Sequence, residues 1–447
     1  MARRRQIKAT VVDRSRDLIS PLPVEIKHRI LECLPTRDAA RTAVLSTHWN
    51  DVWLQHGRLA FDYDFIYSVE QGDDDNYDFI YSVEQGDDDK GRTLVDVEQG
   101  DDDKGRTLVD IINNILLFRA GPVKKFTLYV EHCYRQSDLD RWCLFLSRNG
   151  VEELIIKFCN CGEDEYKLPF CILSCQTIKQ MSVDGPFIDF PVNNVGGIFS
   201  NVTSLFFSSV EFRLNVNGTA SSISISIPNL EKLSFFNCVG INKFEISASK
   251  LERLSVRYFV HDVVESRWLA PHLKAIKSLW LCGSSLLYVD ASLFATTINL
   301  QVLGLYELRF SCAKQLTTAM QLLQKCPNVC ELGIRAYQEV SKFDDEATSR
   351  LLKDPDGCFI VQDLKMLNTI KIESFRGSTV EILFVKMLLS KSPALEKVVI
   401  MESCFIDTSV AVKSLRELLR FPRASLKAQI VCMEHKGAMS GWAMGEL

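Results

Sequence analysis

The sequence lacks long apolar runs and the short motifs of common enzyme classes. No apolar run reaches the roughly 18 residues that a membrane-spanning helix needs, and the basic start MARRRQIKATVVDRSRD lacks the apolar segment of a signal peptide. A phosphate-binding loop, a G-x-S-x-G turn and an H-E-x-x-H motif are all missing, and only seven histidines are present. We therefore expect a protein of the cytoplasm, the nucleus or both, with no membrane partner, catalytic activity or cofactor.

The cysteine pattern argues against disulfide and metal frameworks. Fifteen cysteines is an odd number, and on a chain expected inside the cell it favours reduced thiols that pack as small apolar side chains. The densest group comprises Cys159, Cys161, Cys171 and Cys175. It has no histidine nearby and lacks the two paired turns of C-x₂₋₄-C spacing that zinc usually needs. We expect no bound metal and no nucleic-acid partner.

Residues 63–110 consist of duplicated 14-residue units. YDFIYSVEQGDDDN recurs at once with a single change, and VEQGDDDKGRTLVD is followed by an identical copy. The block holds 16 acidic and 4 basic residues, so most of the negative charge of the chain lies here. Consecutive aspartates do not match the alternating ligands of a calcium loop. The pattern predicts a flexible acidic linker over 61–119, with partial strand pairing by the DFIYSV segments as the alternative.

Residues 17–53 carry the pattern of three short helices. Prolines bound the first helix, which places apolar residues at four-residue intervals; a second fits 37–45, and Ser46 can cap a third. Three helices in about 40 residues cannot bury this much apolar surface on their own, so the pattern predicts a surface for a partner. Its candidate contact residues are Leu22, Pro23, Ile26, Ile30, Leu34, Pro35, Val44, Leu45, Trp49 and Trp53.

The same residues resemble an F-box, which we expect over 17–60. They match L-P-x-x-I-x-x-x-I-L-x-x-L-P followed by D-A-x-R-T-x-x-L-S-x-x-W-x-x-x-W, although His48-Trp49-Asn50 is less basic than is usual in relatives. The resemblance implies docking on a Skp-type adaptor and, through it, on a cullin. It also implies that alanine at Ile30 and Trp49 would abolish adaptor binding and leave the fold intact. An ordinary three-helix core is the alternative.

From residue 123 onward the pattern φ-x-x-φ-x-φ, in which φ is apolar, occurs eleven times. It begins at residues 123, 151, 178, 202, 230, 251, 276, 300, 329, 367 and 395, a mean spacing of about 27 residues. The last two φ positions lie two apart, so a strand points both at the core, and each repeat hides them only by stacking on its neighbours. The pattern predicts an α/β fold, a leucine-rich-repeat solenoid with a parallel concave sheet and irregular connections.

The last 90 residues resemble the FBD region of plant F-box/FBD/leucine-rich-repeat proteins. The matching segments are LKMLNTIKIESFRGSTVEILFVKMLLSKSPALEKVVI at 364–400 and ELLRFPRASLKAQIV at 417–431. We expect leucine-rich repeats over 120–357, an FBD region that continues the solenoid over 358–431 and a tail over 432–447.

Aromatic and arginine side chains fall at strand positions that are predicted to face the concave surface. The candidates are Phe236, Arg253, Arg257, Trp280, Tyr306 and Arg335. These residue types dominate binding hot spots, so we expect a target-binding patch that suits an acidic or phosphorylated segment. A solvated face with scattered aromatic residues is the alternative.

Together, these modules predict a substrate-recognition subunit of an SCF-type cullin ubiquitin ligase, without catalytic groups of its own. Two alternatives stay open: an F-box scaffold or inhibitor without ubiquitin transfer, and a small-molecule receptor on the concave face. The second alternative needs many converging lysines and arginines, and the candidate patch has only three arginines.

Overall fold

The computed structural model describes residues 19–70, 101–130, 134–158, 166–191, 197–215, 223–257, 266–296, 299–337, 362–404, 406 and 408–433. The chain forms two compact units, Met1–Glu163 and Asp164–Leu447. Most of the duplicated acidic block and both Cys159 and Cys161 lie outside the described residues. Within the described ranges, no helix is both long and apolar enough to cross a bilayer, and no cluster of potential metal ligands occurs.

The first unit begins with three helices, as the sequence predicts. They are α1 (Val24–Glu32), α2 (Thr36–Arg41), which tightens into a 3₁₀ turn at Thr42–Val44, and α3 (Thr47–Gln55). Pro23 and Pro35 are the N-cap residues of the first two helices and adopt an extended backbone conformation that is compatible with the fixed φ of proline. The Ser46 hydroxyl accepts a hydrogen bond of 3.2 Å from the backbone N–H of Trp49, so Ser46 caps α3 as expected.

The rest of the first unit is a small parallel sheet with helices. Its elements are β1 (Arg58–Phe61), α4 (Tyr63–Glu70), α5 (Asp101–Leu117), β2 (Lys125–Val130), α6 (Gln136–Arg148) and β3 (Glu153–Phe158). Strand β1 pairs with β2, and β2 pairs with β3. The first compact unit therefore combines the predicted F-box with the first two repeat strands.

Both ends of the predicted linker are helical and packed. Phe65 and Ile66 on α4 are buried, as are Leu108 and Ile112 on α5, and the Phe65 ring meets Phe61 edge-on at 5.0 Å. The prediction of a flexible spacer throughout 61–119 is wrong at these two ends, because their apolar residues recur at helical spacing and find a core. The segment between them lies outside the described residues.

The second unit is built on a ten-stranded parallel sheet. Its strand order is β4-β6-β9-β11-β12-β13-β14-β15-β16-β17. The strands are β4 (Gln180–Asp184), β6 (Ser204–Ser208), β9 (Lys232–Phe236), β11 (Arg253–Arg257), β12 (Ser278–Cys282), β13 (Val302–Leu308), β14 (Glu331–Ala336), β15 (Thr369–Phe375), β16 (Lys397–Glu402) and β17 (Gln429–Met433). Two short parallel pairs lie beside it, β5 (Phe187–Pro191) with β7 (Glu211–Asn215), and β8 (Ile223–Ser226) with β10 (Phe244–Ser247).

Every apolar position of the eleven repeats is buried. The last two φ residues of each repeat lie on one strand, and neighbouring strands pair them in register, as Leu233 with Leu254 and Leu254 with Leu279. Stacking of repeats along a parallel sheet hides one apolar face per repeat. The predicted leucine-rich-repeat architecture is therefore confirmed.

The connections of the second unit are irregular only in part. Before β13 they contain short elements, among them α7 (Phe170–Leu173), which precedes β4, and α8 (Ser266–Leu269). Later connections form α9 (Ala313–Lys325), α10 (Thr379–Lys391) and α11 (Thr408–Arg420), each of 13 residues. The expectation of irregular loops throughout is wrong for this half, where a capping box formed by Ser378 and Glu381 starts α10.

Candidate binding surfaces

The three N-terminal helices expose apolar side chains. We call Leu22, Pro23, Ile26, Ile30, Leu34, Pro35, Val44 and Leu45 the helical patch. Val44 is 85% exposed and Leu45 is 63% exposed, Ile26 is also exposed, and Ile30 is half-buried. Both α1 and the 3₁₀ turn pack against α3, which holds these residues on one small scaffold. Apolar side chains grouped in this way are typical of a protein-binding surface.

The structure removes two residues from the predicted adaptor contact. Trp49 is 2% exposed and Trp53 is 6% exposed, so both lie in the core of the unit, where Lys27 and Arg119 pack against their rings. Truncating a buried tryptophan costs about 3–5 kcal/mol. The expectation that alanine at Ile30 and Trp49 leaves the fold intact is therefore wrong. Periodicity places the two tryptophans on one face of α3, but it does not tell whether that face points inward.

A buried lysine, which the sequence pattern does not predict, stabilises this core. Lys27 on α1 is fully buried. Its ammonium group donates a 2.7 Å hydrogen bond to the backbone oxygen of Ser20 and lies 5.4 Å from the centroid of the Trp49 ring. The lysine therefore ties the turn before α1 to α3 through a hydrogen bond and a cation–π contact.

Arg119 fixes the end of α3 to the chain that leads into β2. Its guanidinium carbon lies 4.9 Å from the centroid of the Trp53 ring, and one of its nitrogens donates to the backbone oxygen of His56. Burial lowers the pKa of Arg119 to about 10. Burial also lowers the pKa of His56 to about 4, helped by the positive charges of Arg119, His28 and Arg58. His56 is thus neutral at physiological pH.

In the second unit, the core residues lie on one face of the ten-stranded sheet, and the side chains that alternate with them lie on the opposite face. We call that opposite face the outer face. Four of the six predicted target-binding residues lie there in one row at the carboxyl ends of the strands. The row runs Phe236, Arg257, Cys282, Tyr306, Arg335 and Glu373 across neighbouring strands. Arg253 is exposed in the first row of the same face, and Trp280 is half-buried in the middle row.

Side chains of this row meet around Tyr306. The guanidinium carbons of Arg335 and Arg257 lie 5.1 Å and 5.9 Å from the centroid of its ring. A nitrogen of Arg335 donates a 3.2 Å hydrogen bond to the Tyr306 hydroxyl. The Phe236 ring approaches Tyr306 edge-on at 6.3 Å. The structure thus brings Phe236, Arg257, Tyr306 and Arg335 together as an aromatic–arginine cluster.

Trp280 lies across two glycines of the following strands. It pairs in register with Gly304 on β13, which pairs with Gly333 on β14. A Cβ atom on Gly304 would lie 2.0 Å from indole atoms of Trp280, and one on Gly333 would lie 2.6 Å from the indole. The two glycines are therefore needed for the close approach of the indole to the sheet.

Carboxylates on the same face reduce the positive charge that the sequence suggests. Burial raises the pKa of Glu373 and of Glu307, while Arg335 lies close enough to oppose both shifts. Lys371 forms a 2.7 Å salt bridge with Glu331. These acidic residues occupy strand positions that a search for arginine and aromatic side chains passes over.

The three N-terminal helices, which have the pattern of an F-box, and the stacked parallel sheet are together the features of an F-box protein with leucine-rich repeats. A family model described as the At1g61320/AtMIF1 leucine-rich-repeat domain matches residues 117–401, and the F-box domain model matches residues 19–60. The first model covers well over half of the chain, so the chain belongs to this family of leucine-rich-repeat proteins.

Three relatives from Arabidopsis thaliana carry the same combination in their names. The F-box/FBD/LRR-repeat protein At1g13570 is 28% identical over 94% of this chain and 99% of its own length. The F-box/LRR-repeat protein At3g03360 is 23% identical over 72% of this chain and 59% of its own length. The F-box/LRR-repeat protein At5g02910 is 22% identical over 58% of this chain and 48% of its own length. Proteins of this class act in general as non-catalytic substrate adaptors of SCF-type ligases.

Proposed function

We propose that this chain is the substrate-recognition subunit of an SCF-type cullin ubiquitin ligase. The helical patch binds a Skp-type adaptor, and the outer face of the ten-stranded sheet binds a target protein. The exposure of Val44 and Leu45 carries the proposal, because a module matched by the F-box domain model leaves these two apolar side chains at its surface. The complex works in the cytoplasm, the nucleus or both.

The proposed mechanism is proximity. The adaptor and cullin hold a ubiquitin-conjugating enzyme, and the outer face holds the target, so that a target lysine is concentrated near the activated ubiquitin. This chain supplies no nucleophile in that scheme. Its contribution is to hold the adaptor and the target at the same time.

The double substitution Val44→Ala and Leu45→Ala tests adaptor binding. Truncation of a binding hot spot costs about 2 kcal/mol or more, so we expect at least a tenfold loss of affinity for a purified Skp-type adaptor, measured by surface plasmon resonance. The melting temperature stays unchanged because both side chains are exposed. Leu426→Ala, at a fully exposed leucine of the second unit, is the matched control and keeps wild-type affinity. Wild-type affinity in the double variant would refute the proposal.

Ubiquitin transfer needs a separate test, since adaptor binding alone fits a scaffold or inhibitor. When the cullin is inactivated in cells, the target of a working ligase accumulates. A candidate target that binds the outer face and keeps a constant level would favour a scaffold or inhibitor over the proposed function.

A further inference from the structure

The outer face holds a small group of buried polar side chains whose hydrogen-bonding capacity is not used. Ser234 and Ser255 are 1% and 3% exposed, and Arg257 is 8% exposed. Within the described part of the chain, neither serine hydroxyl nor the Nε of Arg257 has a hydrogen-bond partner. Buried polar groups are nearly always paired, so three such groups together require an explanation. We call these three residues the serine–arginine group.

The strand register places the three residues side by side. Ser234 on β9 pairs directly with Ser255 on β11. Arg257 follows Ser255 by two residues on the same strand and therefore lies on the same face, about 7 Å further along. Strand β12 adds Trp280 beside Ser255. The serine–arginine group is thus a compact set of donors on two neighbouring strands.

The charge of Arg257 is not compensated by a carboxylate. In the described ranges its guanidinium has no ion pair, and its neighbours are the ring of Tyr306 and the positive charge of Arg335. Burial lowers the pKa of Arg257, because the surroundings of the side chain solvate the charged guanidinium less well than water does. A buried charge without a partner is strongly unfavourable, and an anion would relieve it.

Two aromatic rings close over Arg257. Phe236 and Tyr306 stand on β9 and β13, with β11 and β12 between them, so their strands are about 14 Å apart at ordinary strand spacing. Their ring centroids are nevertheless only 6.3 Å apart, because both side chains lean inward over Arg257 and Cys282. The arginine therefore sits beneath a cover that excludes water and strengthens any charge–charge contact made there.

We propose that the serine–arginine group is an anion-binding subsite that, once the side chains of Phe236 and Tyr306 rotate aside, receives an acidic side-chain group, a carboxylate or a phosphate, of the target protein. The guanidinium and the two hydroxyls all donate hydrogen bonds to anionic oxygens, which matches such a group better than any neutral or cationic one. This inference rests on the proposed function, because the anion belongs to the target that the outer face captures.

Thermal unfolding with inorganic phosphate is the first test, with the full chain co-purified with its adaptor. Phosphate raises the melting temperature of the wild type above that in chloride of equal ionic strength. Arg257→Gln shows a smaller rise, because it keeps only the general stabilisation that phosphate gives by its exclusion from protein surfaces. Without phosphate, Arg257→Gln melts no lower than the wild type, because it removes an uncompensated buried charge. Lys397→Gln, which removes one positive charge from an exposed position of the outer face, keeps the phosphate response.

Two results in this experiment would contradict the assignment of an anion-binding subsite. The first is an equal phosphate response in Arg257→Gln and the wild type. The second is a destabilised Arg257→Gln variant with its response intact, because that pattern marks a purely structural arginine. A wild type that responds to neither phosphate nor the acidic peptides described next also excludes the subsite.

Peptide binding identifies the source of the anion. Three peptide pools of degenerate sequence differ only in a fixed central residue: aspartate, phosphoserine or lysine. We expect the wild type to retain one or both acidic pools at least tenfold above the lysine pool, and Arg257→Gln to lose this preference. A response to phosphate without peptide retention would show a site for a free ion and refute the target assignment. Adaptor retention in the same samples tests the proposed function separately.

Discussion

Single residues decide the shape of the outer face. The indole of Trp280 covers Gly304 and Gly333, which occupy the equivalent position on the two following strands. An aromatic side chain lying flat on glycine backbone exposes a large, rigid surface, and such surfaces contribute strongly to protein recognition. Under the proposed function, the two glycines act on target binding only through Trp280.

Gly304→Ala tests this arrangement. The new Cβ would lie 2.0 Å from indole atoms, so Trp280 must move, and overpacking of this kind costs about 1–3 kcal/mol. We expect a lower melting temperature and a shifted tryptophan emission spectrum. In the background Trp280→Phe, the smaller ring should reduce the effect of Gly304→Ala. An unchanged melting temperature and spectrum for Gly304→Ala would show that the indole does not pack on the glycine.

His56 makes the stability of the first unit depend on pH. The unfolded chain protonates this histidine below about pH 6.5, but the folded protein does so only near its lowered pKa of about 4. Between these values the unfolded state binds more protons, so stability falls as the pH falls. We expect melting temperatures from pH 7 to pH 4.5 to decline less steeply in His56→Gln, while His48→Gln, at an exposed position of α3, follows the wild type. Parallel curves for all three proteins would contradict the assignment.

At the scale of elements, the repeat pattern is predictable because each strand must bury two alternating residues. The strands that it misses explain its limits. In β1, Leu59 and Phe61 align with Phe126 and Leu128 of the next repeat, but the first apolar position is occupied by His56. In β17, Ile430 and Cys432 align with Val398 and Ile400, and Lys427 stands at the first position. Whether a neutral histidine can be buried at the start of β1, and whether residues of the last described strand can stay exposed, depends on the surrounding tertiary structure. The sequence pattern does not contain that information.

In the helices of the first unit, the sequence pattern predicts where the helices form, but packing decides which of their apolar residues are buried. Apolar spacing predicts that α1 and α3 exist and that each has an apolar face. It does not distinguish the apolar residues that join the helices from those left for a partner, so Trp49 and Val44 look alike in the sequence. The structure separates them, because Lys27 and Arg119 pack against the tryptophans while Val44 and Leu45 stay exposed.

At the scale of the whole molecule, the two proposed binding tasks belong to separate compact units. The helical patch belongs to Met1–Glu163, and the outer face with its aromatic–arginine cluster belongs to Asp164–Leu447. Substitutions in one unit are therefore expected to leave the other task intact, since each surface is built from residues of its own unit.

Proximity labelling in plant cells tests this separation most directly. Three versions of the chain are compared: the wild type, Val44→Ala with Leu45→Ala, and Trp280→Ala with Arg335→Gln. We expect the first double variant to lose the adaptor and cullin and to keep the candidate targets, and the second to lose the targets and keep the adaptor and cullin. If either double variant loses both groups while still folded, or neither group, the division of labour between the two surfaces is contradicted.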